Sequence, residues 1–76
     1  MSKAYVKIWM YPGKEREAVK ELRKLKCVLS AELTAGEQDM IALVQGKSYE
    51  DILQIVVKQI RTMKSVRNTV SNLILE

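Results

Sequence analysis

The sequence contains no histidine and a single cysteine among its 76 residues. Histidine is the side chain that normally titrates between about pH 5 and 8, so its absence removes the commonest general base and metal ligand. One cysteine cannot form a disulfide within the chain, and without histidine it leaves almost no ordinary zinc site. Cys27 opens an apolar stretch, where a buried thiol is commoner than a reactive one. We therefore expect no cofactor, no metal site and no enzymatic activity.

Glycine and proline are scarce, with three and one residues, and the apolar runs are short. The segment Pro12-Gly13-Lys14 has the tail of a phosphate-binding loop but neither its first glycine nor its hydroxyl residue, so we interpret it as a turn. No apolar run approaches the roughly 20 residues of a membrane-spanning helix. A signal peptide is also missing. Together with a free thiol, these absences predict a cytoplasmic protein without membrane contact.

Hydrophobic residues make up 47% of the chain and charged residues 29%, which is typical of a packed domain and not of a disordered segment. We expect residues 1–76 to form a single domain. A domain of this size buries only about 60% of the surface that its unfolded chain exposes. Because disulfides and metals are not available to stabilise it, association with another subunit is the expected remedy.

The residues from Ala4 to Tyr11 alternate in a way that predicts a strand with apolar groups on both faces. The even-numbered positions from Ala4 to Met10 are all apolar, and the opposite face carries Tyr5, Trp9 and Tyr11. An antiparallel sheet with one face in water would be polar on that face. We therefore expect the aromatic face to be covered by another subunit or by a ligand.

The remaining patterns predict two helices and three more strands. Helical periodicity follows the Pro12-Gly13 turn, and a capping pattern of Ser48 and Asp51 begins the second helix. This order predicts an α+β, ferredoxin-like βαββαβ fold, in which two helices cover one face of a four-stranded antiparallel sheet. The predicted bounds are a strand at 4–11, a helix at 14–26, a strand at 28–34, a hairpin connection at 35–39, a strand at 40–45, a helix from 48 to about 64 and a strand at 66–75. The second helix is expected to bury Ile52, Leu53, Val56, Val57, Ile60 and Met63.

A net charge of +4 leaves a nucleic-acid-binding module open as an alternative. RNA-recognition domains of this fold stack bases on aromatic side chains of the two central strands. Here the third strand, residues 40–45, has no aromatic residue, and the basic segment 58–67 largely belongs to a helix C-terminus. A small ferredoxin-like enzyme is a second alternative, although scattered carboxylates and lysines are the only bases that it could use.

Two motifs make the chain resemble a known family. The turn Gly36-Glu37-Gln38-Asp39 leads into the apolar strand Met40-Ile41-Ala42-Leu43-Val44, and the last strand reads Val66-Arg67-Asn68-Thr69-Val70-Ser71. With the order of elements from about Ala4 to Leu75, the chain resembles the ligand-binding and oligomerisation domain, or RAM domain, of the Lrp/AsnC (feast/famine) transcriptional regulators. The DNA-binding domain of that family has no counterpart in residues 1–76, so the resemblance is to a stand-alone RAM domain.

The resemblance implies an amino-acid-sensing, oligomerising effector domain that modulates transcriptional regulators and does not itself bind DNA. Family members form homodimers through their bare sheet faces, and the dimers commonly assemble into rings, often octamers. The partners that it implies are further copies of the chain, an amino-acid effector and full-length Lrp/AsnC-type regulators. The side chains expected at the dimer interface are Tyr5, Trp9, Tyr11, Ile41 and Leu43.

The resemblance also implies a ligand site in clefts between dimers, near the Gly-x-x-Asp turn and the final strand. At the matching positions, Gly36 supplies the turn, and Asp39 is an acid suited to an α-ammonium group or to holding the turn. Thr69 and Ser71 are the hydroxyl pair of the last strand, with Ser71 in place of the commoner threonine. The full set of expected ligand-binding residues is Gly36, Glu37, Asp39, Asn68, Thr69 and Ser71.

The same residues have an ordinary structural interpretation. A glycine in a tight hairpin provides a positive φ, and an aspartate bonds nearby amide groups. Hydroxyl residues at alternating positions are common in strands. The surroundings of Asp39, Thr69 and Ser71 in the fold decide how far each is free to meet a ligand.

Overall fold

A computed structural model describes residues 1–75, which form one four-stranded sheet and two helices. The order across the sheet is second, third, first, fourth strand, and every pairing is antiparallel. This arrangement confirms the predicted α+β, ferredoxin-like βαββαβ fold. The elements are β1 (Ser2–Met10), α1 (Glu15–Arg23), β2 (Val28–Leu33), β3 (Met40–Gly46), α2 (Tyr49–Ile55), which continues as a π-helical turn (Val56–Ile60), and β4 (Val66–Leu73).

Strand β1 is central, because β3 pairs with one of its edges and β4 with the other. Its side chains Ala4, Val6 and Ile8 are fully buried, and Met10 is 4% exposed. These side chains pack against the apolar residues of both helices. The core therefore lies between the helices and one face of the sheet, and no other layer of the described residues covers the opposite face.

The buried stripe of the second helix is narrower than the sequence pattern predicts. Ile52, Val56 and Ile60 are buried, whereas Leu53 and Val57 are 45% and 54% exposed. A spacing of four residues keeps the first three on the core, and the position after each of them lies about 100° further round the helix. The prediction that Leu53 and Val57 face the core is therefore wrong.

The second helix begins as predicted and ends in a way that its periodicity does not indicate. The Ser48 hydroxyl accepts a hydrogen bond from the amide of Asp51 at 3.1 Å, which caps the first turn. At the other end, the amide of Arg61 donates to the carbonyl of Val56, five residues earlier, at 2.8 Å. Among residues 1–75, no helix is both long and apolar enough to cross a membrane.

Three elements end earlier than the sequence pattern predicts, although β1 begins earlier, at Ser2. β1 ends at Met10, because the Pro12-Gly13 turn begins at Tyr11 and places Gly13 at a φ of 83°. The prediction that Tyr11 belongs to the first strand is therefore wrong. Helix α1 ends at Arg23 and not at residue 26, since a turn leads from there into β2, and β4 ends at Leu73 and not at residue 75.

Arg23 joins the end of α1 to the edge strand β2. Its Nε and Nη2 atoms both donate to the carbonyl oxygen of Ala31, at 3.0 and 2.8 Å. Nη2 also lies 3.5 Å from a carboxylate oxygen of Glu32. The Ala31 carbonyl, on the outer edge of the sheet, is therefore already paired.

Candidate functional site

The loop that contains the Gly-x-x-Asp motif, residues 34–39, is closed by its own hydrogen bonds. The amide of Thr34 donates to the carbonyl of Asp39 at 2.9 Å, and its hydroxyl donates to the carbonyl of Gln38 at 3.0 Å. Gly36 has a φ of 141°, a conformation that only glycine adopts readily, and no atom lies within 4 Å of where a Cβ would stand. Backbone conformation, and not space, therefore requires the glycine.

Asp39 fastens this loop to the central strand. Its amide donates to the carbonyl of Ile8 at 3.0 Å, and its Oδ2 accepts from the amide of Met10 at 2.8 Å. Among residues 1–75, no donor reaches its other oxygen, Oδ1. The carboxylate thus has a structural partner on β1 and keeps a second acceptor for another group.

Two side chains of β1, on the sheet face away from the helices, also contact this loop. Trp9 Nε1 donates to the carbonyl of Glu37 at 2.8 Å, and the ammonium group of Lys7 lies 3.5 Å from the Glu37 carboxylate. The alternation of β1 predicts that Lys7 and Trp9 share a sheet face, but it does not indicate that either side chain contacts the loop of residues 34–39.

The expected ligand residues of β4 divide between the two faces of the sheet. Thr69 pairs with Ile8 and Ser71 with Val6, so their side chains lie on the helix-covered face, where both are half-buried. Asn68 pairs with Trp9 and is exposed on the other face. The hydroxyl pair and Asn68 therefore do not converge on one point within a single subunit.

Asp39 and Thr69 lie at the same end of the sheet, on either side of β1. Asp39 bonds the backbone of Ile8 from the β3 side, and Thr69 pairs with the same residue from the β4 side. Two interstrand spacings of about 4.8 Å separate their main chains by roughly 10 Å. Ser71 lies two residues further along β4, beside Val6.

The sheet face opposite the helices, which we call the open face, carries a row of large apolar side chains. Tyr5 is 46% exposed and pairs with Leu43 of β3, and Lys7 pairs with Ile41 on one side and Val70 on the other. Ile41 and Leu43 are half-buried, while Val70 is 43% exposed. Of the expected interface residues, the open face thus groups Tyr5, Trp9, Ile41 and Leu43, with Val70 in addition; Tyr11 lies beyond the end of β1.

Nothing in the described residues gathers the groups that a metal ion needs, since residues 1–75 contain no cluster of three His, Cys, Asp or Glu side chains. Cys27 is half-buried beside the core. Burial raises the pKa of its thiol above the ordinary value, more than a hydrogen bond from its backbone lowers it. The thiol therefore stays protonated near neutral pH and is a poor nucleophile.

The sequence model of one protein family, the Lrp/AsnC ligand-binding domain, matches residues 3–76. The chain belongs to this family. The match covers the Gly-x-x-Asp loop, all four strands and both helices, so the fold and the motifs now agree with the resemblance read from the sequence. No curated protein matches the chain.

Solved structures reproduce the whole fold. FFRP-DM1 is 28% identical with a TM-score of 0.94, and the match covers 99% of this chain and 100% of that one. The hypothetical protein PHS023 from Pyrococcus horikoshii is 31% identical with a TM-score of 0.91, over 100% of this chain and 93% of that one. A transcriptional regulator from Neisseria meningitidis, solved as a complex with L-Met, has the same fold at 19% identity and a TM-score of 0.89, over 99% of this chain and 50% of that one.

Proposed function

We propose that this chain is an amino-acid-sensing effector module, which binds a small amino acid between subunits and thereby modulates transcriptional regulators. The observation that carries the proposal is the loop of residues 34–39, which is fastened to β1 through Oδ2 of Asp39 while Oδ1 remains a free acceptor. A rigid loop with an unused carboxylate oxygen suits the α-ammonium group of an amino acid. The regulator from Neisseria meningitidis with this fold binds L-Met, which supports the ligand class.

Geometry supports a site shared between subunits. The main chains of Asp39 and Thr69 are roughly 10 Å apart, because β1 lies between them. Thr69 and Ser71 lie on the helix-covered face and Asn68 lies on the opposite face, so the expected ligand residues of one subunit do not converge on one point. A second subunit that places its own hydroxyl or amide groups beside Asp39 would complete the site.

The open face supports self-association as the first step of assembly. Tyr5, Ile41, Leu43 and Val70 form an apolar row that water would otherwise cover, and burial is worth about 25 cal/mol for each Å² of apolar surface. The single charge within the row, on Lys7, is offset by Glu37 at 3.5 Å. A second copy of the chain, packed face to face, is the partner that we propose, with further assembly of dimers into a ring such as an octamer.

In this proposal the module works in the cytoplasm, together with full-length Lrp/AsnC-type regulators, and it has no catalytic role. A ligand that prefers the assembled state shifts the assembly equilibrium by its difference in affinity for the two states. Binding would therefore be read out as a change in the size of the complex, or in its co-assembly with regulators.

Isothermal titration with each of the twenty amino acids, combined with native mass measurement, tests the proposal. We expect at least one amino acid to bind saturably and to change the mass distribution of the complexes. The Asp39→Asn variant should lose that binding while it keeps the hydrogen bond from Met10, since an amide oxygen accepts as the carboxylate does. Absence of binding and of any mass change for all twenty would contradict the proposal.

A further inference from the structure

A second concave surface lies on the helix side of the sheet, away from both the open face and the Gly-x-x-Asp loop. It is a groove of about 640 Å³ between α1 and the segment that runs from the π-helical turn to β4. This volume falls in the range of about 300–1,000 Å³ that is typical of small-molecule sites. The side chains that form its charged walls are Lys14, Glu17, Glu21, Lys58 and Lys64.

Charged side chains of both signs line this groove without forming ion pairs with one another. Glu17 and Glu21 lie four residues apart on one face of α1, and Lys14 precedes the helix at its N-cap position. Lys58 and Lys64 line the opposite side. Among residues 1–75, none of these five side chains forms an ion pair, although Lys7 with Glu37 and Arg23 with Glu32 do so elsewhere. Groups of both signs therefore remain available to a ligand that lies between them.

Ser65 contributes a buried hydroxyl to the same groove. The residue is 3% exposed and lines the groove, and its Oγ has no hydrogen-bond partner among residues 1–75. Buried hydroxyl groups are nearly always paired, so an unpaired one reduces stability and calls for a partner. Rotation about its one side-chain torsion redirects the oxygen without any movement of the backbone.

Backbone bonds place Ser65 at the Lys14 end of the groove. The amide of Tyr11 donates to the carbonyl of Ser65 at 3.1 Å, and the carbonyl of Tyr11 accepts from the amide of Lys14 at 3.2 Å. Lys64 is the neighbour of Ser65 in the chain. Two ammonium groups and an unpaired hydroxyl thus belong to one end, and the two glutamates follow along α1.

The π-helical turn forms part of the groove wall through Lys58. Turns of this kind are rare and occur frequently at functional sites, because they are less stable than an α-helical turn and change the direction of the side chains. Here the Thr62 hydroxyl donates to the carbonyl of Lys58 at 2.8 Å and so satisfies one carbonyl of the irregular turn.

We propose that this groove is a second ligand site, for a small molecule whose acid group and amino group are separated by several bonds. Lys14, Lys64 and the Ser65 hydroxyl bind the acid group, and Glu17 or Glu21 binds the amino group. Along α1, Glu17 lies roughly 5 Å and Glu21 roughly 10 Å from Lys14 at a rise of 1.5 Å per residue. A ligand whose charged groups are several bonds apart fits this spacing better than an α-amino acid, with both charges on one carbon, so we expect the groove to favour a different ligand class from the proposed site between subunits.

The probe for this site is 6-aminohexanoate, with hexanoate and hexylamine as controls that each lack one charged group. Amide chemical shifts of the full chain are followed by NMR during titration. We expect saturable shifts at Lys14, Glu17 and Ser65 with 6-aminohexanoate, and affinities at least tenfold weaker for both controls. Equal responses to hexanoate, shifts confined to residues 34–39, or no shifts at all would overturn the proposal.

Two variants test the assigned contacts. Ser65→Ala removes the hydroxyl, and Glu17→Gln with Glu21→Gln removes the two negative charges; each is expected to weaken binding of 6-aminohexanoate about tenfold. Lys20→Gln, an exposed change on α1 outside the groove lining, is the control and should leave the affinity unchanged. Unchanged affinity in either test variant overturns the proposal. The site lies within one subunit, so its failure and a failure of the twenty-amino-acid titration are separate results.

Discussion

Two connections lead into the strands that flank β1, and they treat their polar groups differently. In the loop of residues 34–39, hydrogen bonds from Thr34, Trp9 and the β1 backbone satisfy the groups that approach the sheet. In the connection 61–65, the Ser65 carbonyl accepts a hydrogen bond from the Tyr11 amide, but the buried Ser65 hydroxyl has no partner. The hydrogen bonds of the first connection stabilise one conformation, whereas the unpaired hydroxyl of the second reduces stability and leaves a polar group that a ligand can bond.

The largest effect is expected when the side chain that fastens the loop of residues 34–39 to β1 is removed. Asp39→Ala leaves the part-buried amide of Met10 without an acceptor and should reduce the free energy of unfolding by about 2 kcal/mol. Urea unfolding at a fixed protein concentration measures it, since association would change the apparent stability. The matched variant Asp39→Asn keeps an acceptor and should lose much less. Equal losses in the two variants would mean that the hydrogen bond from the Met10 amide to Asp39 contributes little to stability.

A smaller loss is expected when the loop conformation itself is strained. Gly36→Ala should reduce the free energy of unfolding by about 1–2 kcal/mol, because the residue has a φ of 141° while a Cβ would meet no atom within 4 Å. Gly13→Ala, at a φ of 83° in the Pro12-Gly13 turn, is the matched control. It should destabilise similarly yet leave amino-acid binding intact. A stable Gly36→Ala protein would show that the loop tolerates another conformation.

The other connection should respond with the opposite sign. Ser65→Ala removes an unpaired buried hydroxyl and should raise the free energy of unfolding by about 1 kcal/mol in the absence of ligand. Thermal unfolding of the variant is compared with that of Ser30→Ala, an exposed serine of β2, which should change little. Destabilisation by Ser65→Ala would mean that the hydroxyl has a partner in solution, and the contrast between the connections would disappear.

The smallest effect concerns the hydrogen bond on the exposed side of the loop. Trp9→Phe keeps an aromatic ring but removes the donor to the Glu37 carbonyl, so we expect a loss of about 0.5–1 kcal/mol in urea unfolding. Tyr5→Phe, on the same face, removes a hydroxyl that has no hydrogen bond within residues 1–75. It should therefore change the free energy of unfolding less than Trp9→Phe does.

The sequence predicts the fold well, because alternation and helical spacing report burial directly. Ala4, Val6, Ile8 and Met10 of β1 share one buried face as their alternation predicts, and the Ser48 cap begins the second helix. Alternation fails in β4, where the register shifts between its pairings with Trp9 and Met10, so that Arg67 is an extra residue. Counting from Val66 would put Val70 on the core side, yet the bulge places it on the open face.

The candidate site is less predictable than the fold. The Gly-x-x-Asp spacing locates the loop, but nothing in it indicates that Oδ2 of Asp39 would bond Met10 or that Trp9 would bond Glu37. Both bonds depend on the register between β1 and β3, which is a property of the folded sheet. The groove also cannot be predicted from the sequence, because neither the π-helical turn nor the unpaired Ser65 hydroxyl produces a periodic pattern of residues.

The contact between Arg23 and the edge strand β2 affects how copies of this chain could aggregate. Its guanidinium group occupies the Ala31 carbonyl on the free edge of β2, through two hydrogen bonds. A foreign strand that tried to extend the sheet at this edge would first have to displace it, and protected edges of this kind resist fibre formation. A contact made to stabilise one subunit, between the end of α1 and β2, thus also opposes the addition of strands at this edge of the sheet.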